Sequence, residues 1–141
     1  HNIKIGERTA EEIKIQVGSS LPVLENPPKD FVVQGPNQIT ALPIEVPVSY
    51  KEIAHCLEKS LSKIDAAILS ALEQTPPELY ADIVKNGIWL AGGGSLLRGL
   101  DKHLSAKIGI PFNIADDPLR AVVRGTGIAL KNVDKFSFLI R

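Results

Sequence analysis

The chain has 141 residues, 44% of them hydrophobic and 23% charged, a make-up that folds into a globular domain and excludes a disordered polypeptide. Sixteen basic and sixteen acidic side chains cancel to zero net charge, so no global field draws the protein to nucleic acid or to an anionic membrane. No apolar run approaches the roughly 20 residues that span a bilayer, and no basic-then-apolar leader opens the chain, so a cytoplasmic location is expected.

Taken in order, residues 6–17 place Ala10, Ile13 and Val17 on one side at spacings of three and four, which predicts a short amphipathic helix ended by Gly18. Pro22, Pro27 and Pro28 make residues 19–30 a surface loop. A hairpin follows, with Phe31-Val32-Val33-Gln34 as its first strand and Gly35-Pro36-Asn37-Gln38 as its turn. Its second strand turns Thr40, Leu42, Ile44, Val46 and Val48 to one face, and Pro43 and Pro47 to the other, as suits an edge strand. Ser49-Tyr50-Lys51-Glu52 has the form of a capping box. It opens a long core helix with the stripe Ile53, Cys56, Leu57, Leu61, Ile64, Ile68, Ala71 and Leu72. Cys56 is the lone cysteine, and its place on that stripe makes it a buried core thiol. Thr75-Pro76-Pro77-Glu78 stops this helix and starts a shorter one through Leu79, Ile83 and Val84. Residues 88–91 read as a buried strand, 96–108 as a helix and 110–115 as another strand. Asp117 then serves as N-cap and Pro118 as first residue of a last helix through Val122, Val123 and Ile128. The alternation is that of an α/β protein. His1, His55 and His103 lack metal-ligand spacing and are expected in solvated or capping roles. The chain has no methionine and starts at His1, which reads as a processed product or a piece of something longer.

Two segments carry chemistry. In Trp89-Leu90-Ala91-Gly92-Gly93-Gly94-Ser95-Leu96 a strand breaks into three glycines and opens a helix, where a phosphate or nucleotide meets bare backbone and outward-pointing amides. Plain connectors share that pattern. In Gly6-Glu7-Arg8-Thr9-Ala10-Glu11-Glu12-Ile13-Lys14 the helical spacing puts Glu11 and Lys14 on one face. A solvated ion pair is the default reading of that spacing, and a ligand contact is the alternative.

Together with Gly109-Ile110-Pro111, Ala115-Asp116-Asp117-Pro118 and Arg124-Gly125-Thr126-Gly127, these segments resemble the MreB family of bacterial actin homologues over nearly the whole chain. Residues 6–14, 73–78, 92–101 and 115–127 are closest to that family's wording, and the stretch after Gly18 is less specific. The resemblance implies an α/β fold, the incomplete C-terminal lobe of an actin-like ATPase. Residues 1–48 would be its small outer subdomain and residues 49–141 its ribonuclease H-like inner subdomain. It assigns Glu11 and Lys14, with Glu12 as a register alternative, to the adenine or ribose side of ATP. Gly93 and Gly94, with Gly92 and Ser95 beside them, would form the backbone surface under the adenosine and first phosphate. A side chain at Gly93 is expected to block the adenosine or to distort a turn that needs positive φ.

The family's phosphate loops and catalytic acid precede the region that Gly6 matches, so these residues are expected to be inactive as an ATPase by themselves. The parent would bind Mg-ATP and self-associate into filaments, with the hairpin of residues 31–48 at a subunit contact. It would maintain rod shape through the cell-wall elongation machinery. The family's membrane element lies in the other lobe, so these residues imply no membrane contact and no nucleic acid. The C-terminal half of a sugar kinase or Hsp70-type ATPase, and an interaction module that binds no nucleotide, are the rival readings.

Overall fold

The computed structural model describes residues 1–136, so the last five residues of the segment 49–141 lie outside it. Helix α1 (Glu7–Val17) forms on its apolar stripe and buries Ile13 and Val17. Strands β1 (Phe31–Pro36) and β2 (Pro43–Val48) pair antiparallel from Phe31↔Val48 to Pro36↔Pro43. The turn falls later than the glycine–proline pair suggests. Asn37 Oδ1 accepts from the amides of Ile39 at 2.8 Å and Thr40 at 3.1 Å, an Asx turn that moves the reversal to residues 37–41. Thr40 and Leu42 therefore leave the inward face, and Leu42 is 64% exposed. Ile13, Val17, Val33, Val46, Val48 and Tyr50 close into a first core cluster, with Ile3, Phe31 and Ile53 packed against it.

Helix α2 (Tyr50–Glu73) opens on the expected capping box: Glu52 Oε2 accepts from the Ser49 amide at 2.8 Å, and Ser49 Oγ accepts from the Glu52 amide at 3.4 Å. The Ser49 amide, then its hydroxyl, hold the Glu52 carboxyl below its usual range. A depressed folded-state pKa contributes stability that is present above the unfolded pKa and lost as pH falls through the folded value. Ser49→Ala is expected to cost about 1 kcal/mol in denaturant unfolding at neutral pH, and less at a pH low enough to protonate Glu52.

The stripe of α2 is covered only in part, because α1 and α4 are the helices that pack on it. Tyr50, Ala54 and Leu61 are buried, whereas Ile64 is 45% exposed. Cys56 is exposed, so it is no core thiol: its turn of α2 faces a gap beside α1. Helix α3 (Pro77–Asn86) starts with proline in its first turn, while Thr75 Oγ1 bonds back to the Ala71 carbonyl at 2.9 Å and finishes α2.

Strands β3 (Ile88–Leu90) and β4 (Phe112–Ile114) pair parallel across helix α4 (Leu100–Ile108), which with α2 shields one face of the pair. Leu61, Leu100, Leu104 and Phe112 form the second core cluster, against which Leu57, Ile88, Leu90 and Leu97 pack. Strand β3 is not fully buried, since Trp89 points to the uncovered face and is 66% exposed. The glycines do not run into a helix either. They enter a 3₁₀ turn (Gly93–Leu96), and α4 starts only at Leu100, after Gly99 in the left-handed region at φ 74°. Helix α5 (Ala121–Lys131) likewise starts later than the Asp–Pro signal suggests. Asp117 takes φ 48° and its carbonyl accepts from the Arg120 amide at 3.0 Å, so Pro118 sits in a turn ahead of the helix.

The histidines differ from expectation in one case. His103 Nε2 lies 3.2 Å from both Asp65 carboxylate oxygens in a largely buried pair that ties α4 to α2. His55 is solvated beside Glu58.

Candidate functional site

Helix α1 lines a cavity of about 450 Å³ between itself and α2. Ala10, Ile13, Ile53 and Leu57 give apolar walls, and Glu11, Lys14 and Cys56 are also on its lining. Lys14 Nζ donates to Glu11 Oε2 at 2.6 Å, with both side chains half in solvent. Such an exposed pair is worth about 0–1 kcal/mol, so either partner can be turned to a ligand at little cost. Glu12 instead faces Arg8, 3.3 Å away, and is not on the cavity lining.

The glycine turn is held from within. Ser95 is 3% exposed, and its hydroxyl donates to the Gly92 carbonyl at 2.7 Å, so this side chain shapes the turn. The Gly92 amide donates to the Pro118 carbonyl at 2.7 Å. Positive φ falls on Gly92, at 83°, and not on Gly93, so the strain expected at Gly93 does not exist there. Beside Gly92 and Gly94 a Cβ would meet open space, and beside Gly93 only the Leu119 side chain at 3.3 Å. Bare backbone open on its outer side fits a flat, hydrogen-bonding ligand.

Two connections bring these segments together across about 80 residues of sequence. Leu57 lines the cavity and also packs in the cluster with Leu90 and Leu97, which bracket the glycines. The segment just past the glycines is stitched to the C-terminal end of α1. Arg98 Nη1 donates to the carbonyls of Ile15 at 3.3 Å and Gly18 at 3.2 Å, and the Ser20 amide donates to the Arg98 carbonyl at 2.9 Å. Sequence reading missed Arg98, Ser19 and Ser20. The available signal was Gly18-Ser19-Ser20, small residues at a helix end that permit close approach.

The MreB/Mbl protein family profile matches residues 1–138. The chain belongs to the MreB/Mbl family. It is 40% identical over 135 residues to the cell shape-determining protein Mbl of Bacillus cereus, and 44% identical over 130 residues to the cell shape-determining protein MreB of Escherichia coli. Those alignments cover 96% and 92% of this chain but 40% and 37% of the relatives, so the chain spans about two fifths of the length of each. Among solved structures, MreB5 of Spiroplasma citri bound to AMPPNP superposes with a TM-score of 0.88 at 37% identity, covering 99% of this chain and 41% of that one. MamK bound to AMPPNP, at 22% identity and TM-score 0.63, shares the fold. The architecture is thus a mixed α/β, incomplete actin-like fold of the MreB type. Family membership sets aside the sugar-kinase and Hsp70 readings.

Among the described residues no cluster of three or more His, Cys, Asp or Glu could hold a metal ion. No described helix is long and apolar enough to cross a membrane.

Proposed function

We propose that this chain is the adenosine-holding part of an ATP-binding, filament-forming cytoskeletal protein that maintains rod shape by directing cell-wall synthesis. The observation that supports the nucleotide reading is the stitching of the α1 end to the segment after the glycines, and in this reading Glu11 and Lys14 face the same ligand as Gly92, Gly93, Gly94 and Ser95. The Spiroplasma citri structures, bound to AMPPNP and to ADP, support it. In this reading Glu11 accepts from ribose hydroxyls, the Lys14 stem covers the base, and the cavity walls of Ile13 and Leu57 lend apolar area. The backbone of Gly92 to Gly94 passes under the adenosine and first phosphate, with Ser95 fixing its shape. Bound ATP would supply a cleavable phosphoanhydride, and Mg²⁺ and the γ-phosphate would be held by residues outside this chain.

The two core clusters support a division into an outer segment, residues 1–48, and an inner one, residues 49–141. Tyr50 and Ile53 lend α2's first turns to the outer cluster, so the join is a packed one. In the whole protein the hairpin of β1 and β2, with Pro43 and Pro47 exposed on its outer strand, is the surface for self-association.

The 141-residue chain is expected to bind ADP weakly, with a Kd on the order of 10⁻⁴ M or above, and to turn over no ATP, because contacts to the metal and γ-phosphate supply most of the grip and all of the chemistry. Calorimetry with ADP and a phosphate-release assay check this. Low-micromolar affinity or steady turnover would overturn it.

A further inference from the structure

We propose that Arg98 is the strut that sets the distance between the two walls of this cleft, a positioning residue that touches no ligand itself. The proposal rests on the nucleotide reading. One nitrogen, Nη1, reaches two carbonyls at the end of α1, Ile15 at 3.3 Å and Gly18 at 3.2 Å. A cation on those carbonyls also answers the partial negative charge at a helix C-terminus. Among the described residues Arg98 forms no ion pair, so its charge is spent on this contact.

The backbone of Arg98 is held as firmly. Its carbonyl accepts from the Ser20 amide at 2.9 Å and the Ser20 hydroxyl at 3.0 Å, with Ser20 6% exposed and Ser19 wholly buried. On either side the two segments approach closely at a glycine. A Cβ on Gly18 would lie 3.1 Å from the Leu97 side chain, and one on Gly99 2.6 Å from Leu21.

These contacts join the two walls in a short series. Lys14 is the residue before Ile15, and Glu11 is one turn earlier on the same helix. On the other side Ser95, three residues before Arg98, pins Gly92. Loss of the guanidinium frees the end of α1 to move against the glycine turn, and a ligand that must touch both walls then finds them out of register.

The test uses the whole 141-residue chain, with ADP titrated by NMR so that weak binding is read directly, and amide exchange measured without nucleotide. Arg98→Ala is expected to weaken ADP about tenfold and to speed exchange at Gly18 to Leu21 and across the glycine turn together. Lys14→Ala is expected to weaken ADP severalfold in the native background and to have little further effect beside Arg98→Ala, since coupled positions are non-additive. Arg98→Lys restores most of the affinity, because an ammonium has donors enough for both carbonyls. If Arg98→Ala proves unfolded, Arg98→Gln, with two neutral donors, is expected to give an intermediate loss. ADP binding unchanged by Arg98→Ala or Arg98→Gln, or an equal Lys14→Ala loss in both backgrounds, overturns the strut. A native chain that binds no ADP overturns the nucleotide reading instead. Exchange then judges the strut alone, and unchanged exchange at Gly18 to Leu21 in Arg98→Ala overturns it.

Discussion

Gly18→Ala is expected to lower the stability of the chain by about 2–3 kcal/mol, at the upper end of the cost of overpacking a close contact. The added Cβ would lie 2.2 Å from the Lys14 carbonyl oxygen, and that oxygen is not free to move. It accepts the 2.9 Å bond from the Gly18 amide that closes the last turn of α1. Retreat on the other side is blocked by Leu97 at 3.1 Å. Relief therefore means breaking the helix end or parting α1 from the segment after the glycines. Backbone entropy of the unfolded chain favours alanine by only about 0.4–1 kcal/mol, too little to reverse the sign. Gly6→Ala, where a Cβ meets nothing within 4 Å, is the control. Denaturant midpoints of the two variants decide it; a Gly18→Ala loss under about 0.5 kcal/mol would contradict the close contact.

Leu104→Ala is expected to cost about 3 kcal/mol, within the 2–5 kcal/mol range for removing a fully buried leucine. Leu104 is 1% exposed and is the largest fully buried side chain among the described residues. It anchors α4 between Leu61 of α2 and Phe112 of β4. Ile88 and Leu90 pack against the same cluster, so the parallel pair of β3 and β4 is held to the body largely through it. On the other face of that pair Trp89 is 66% exposed. Fluorescence of Trp89, the one tryptophan, reports on β3 from the face opposite the cluster, and far-ultraviolet circular dichroism follows the whole chain. Unchanged midpoints by both probes would remove Leu104 from the core.

Where local chemistry decides the structure, the sequence was enough. The stripe of Ala10, Ile13 and Val17, the Ser49–Glu52 box and the proline at the start of α3 each fix an element through contacts within a few residues. The alternation of Ile44, Val46 and Val48 likewise gave the inner face of β2. Failures fall where a distant partner decides. Cys56 shares the stripe of α2 with Leu61, but only Leu61 meets α4 and its neighbours, while Cys56 meets the cavity. The run from the glycines to Ile108 has helical spacing throughout. Gly99 nonetheless turns left-handed because Arg98 is drawn to Ser20 and α1, and the helix waits until Leu100. Of the site, the Glu11–Lys14 pair and the open backbone of the glycine turn were legible from spacing and residue type. Arg98, which joins them, was not, since its partners are backbone carbonyls that any sequence supplies.

The most direct measurement of the nucleotide assignment is a map of amide chemical shifts on the ¹⁵N-labelled chain as ADP is added. Glu11, Lys14 and Gly92 to Ser95 are expected to move together with one saturation curve, while residues 37–41 of the hairpin turn stay where they are. Shifts confined to either wall alone, or lying outside both, would contradict a single adenosine cleft built from α1 and the glycine turn.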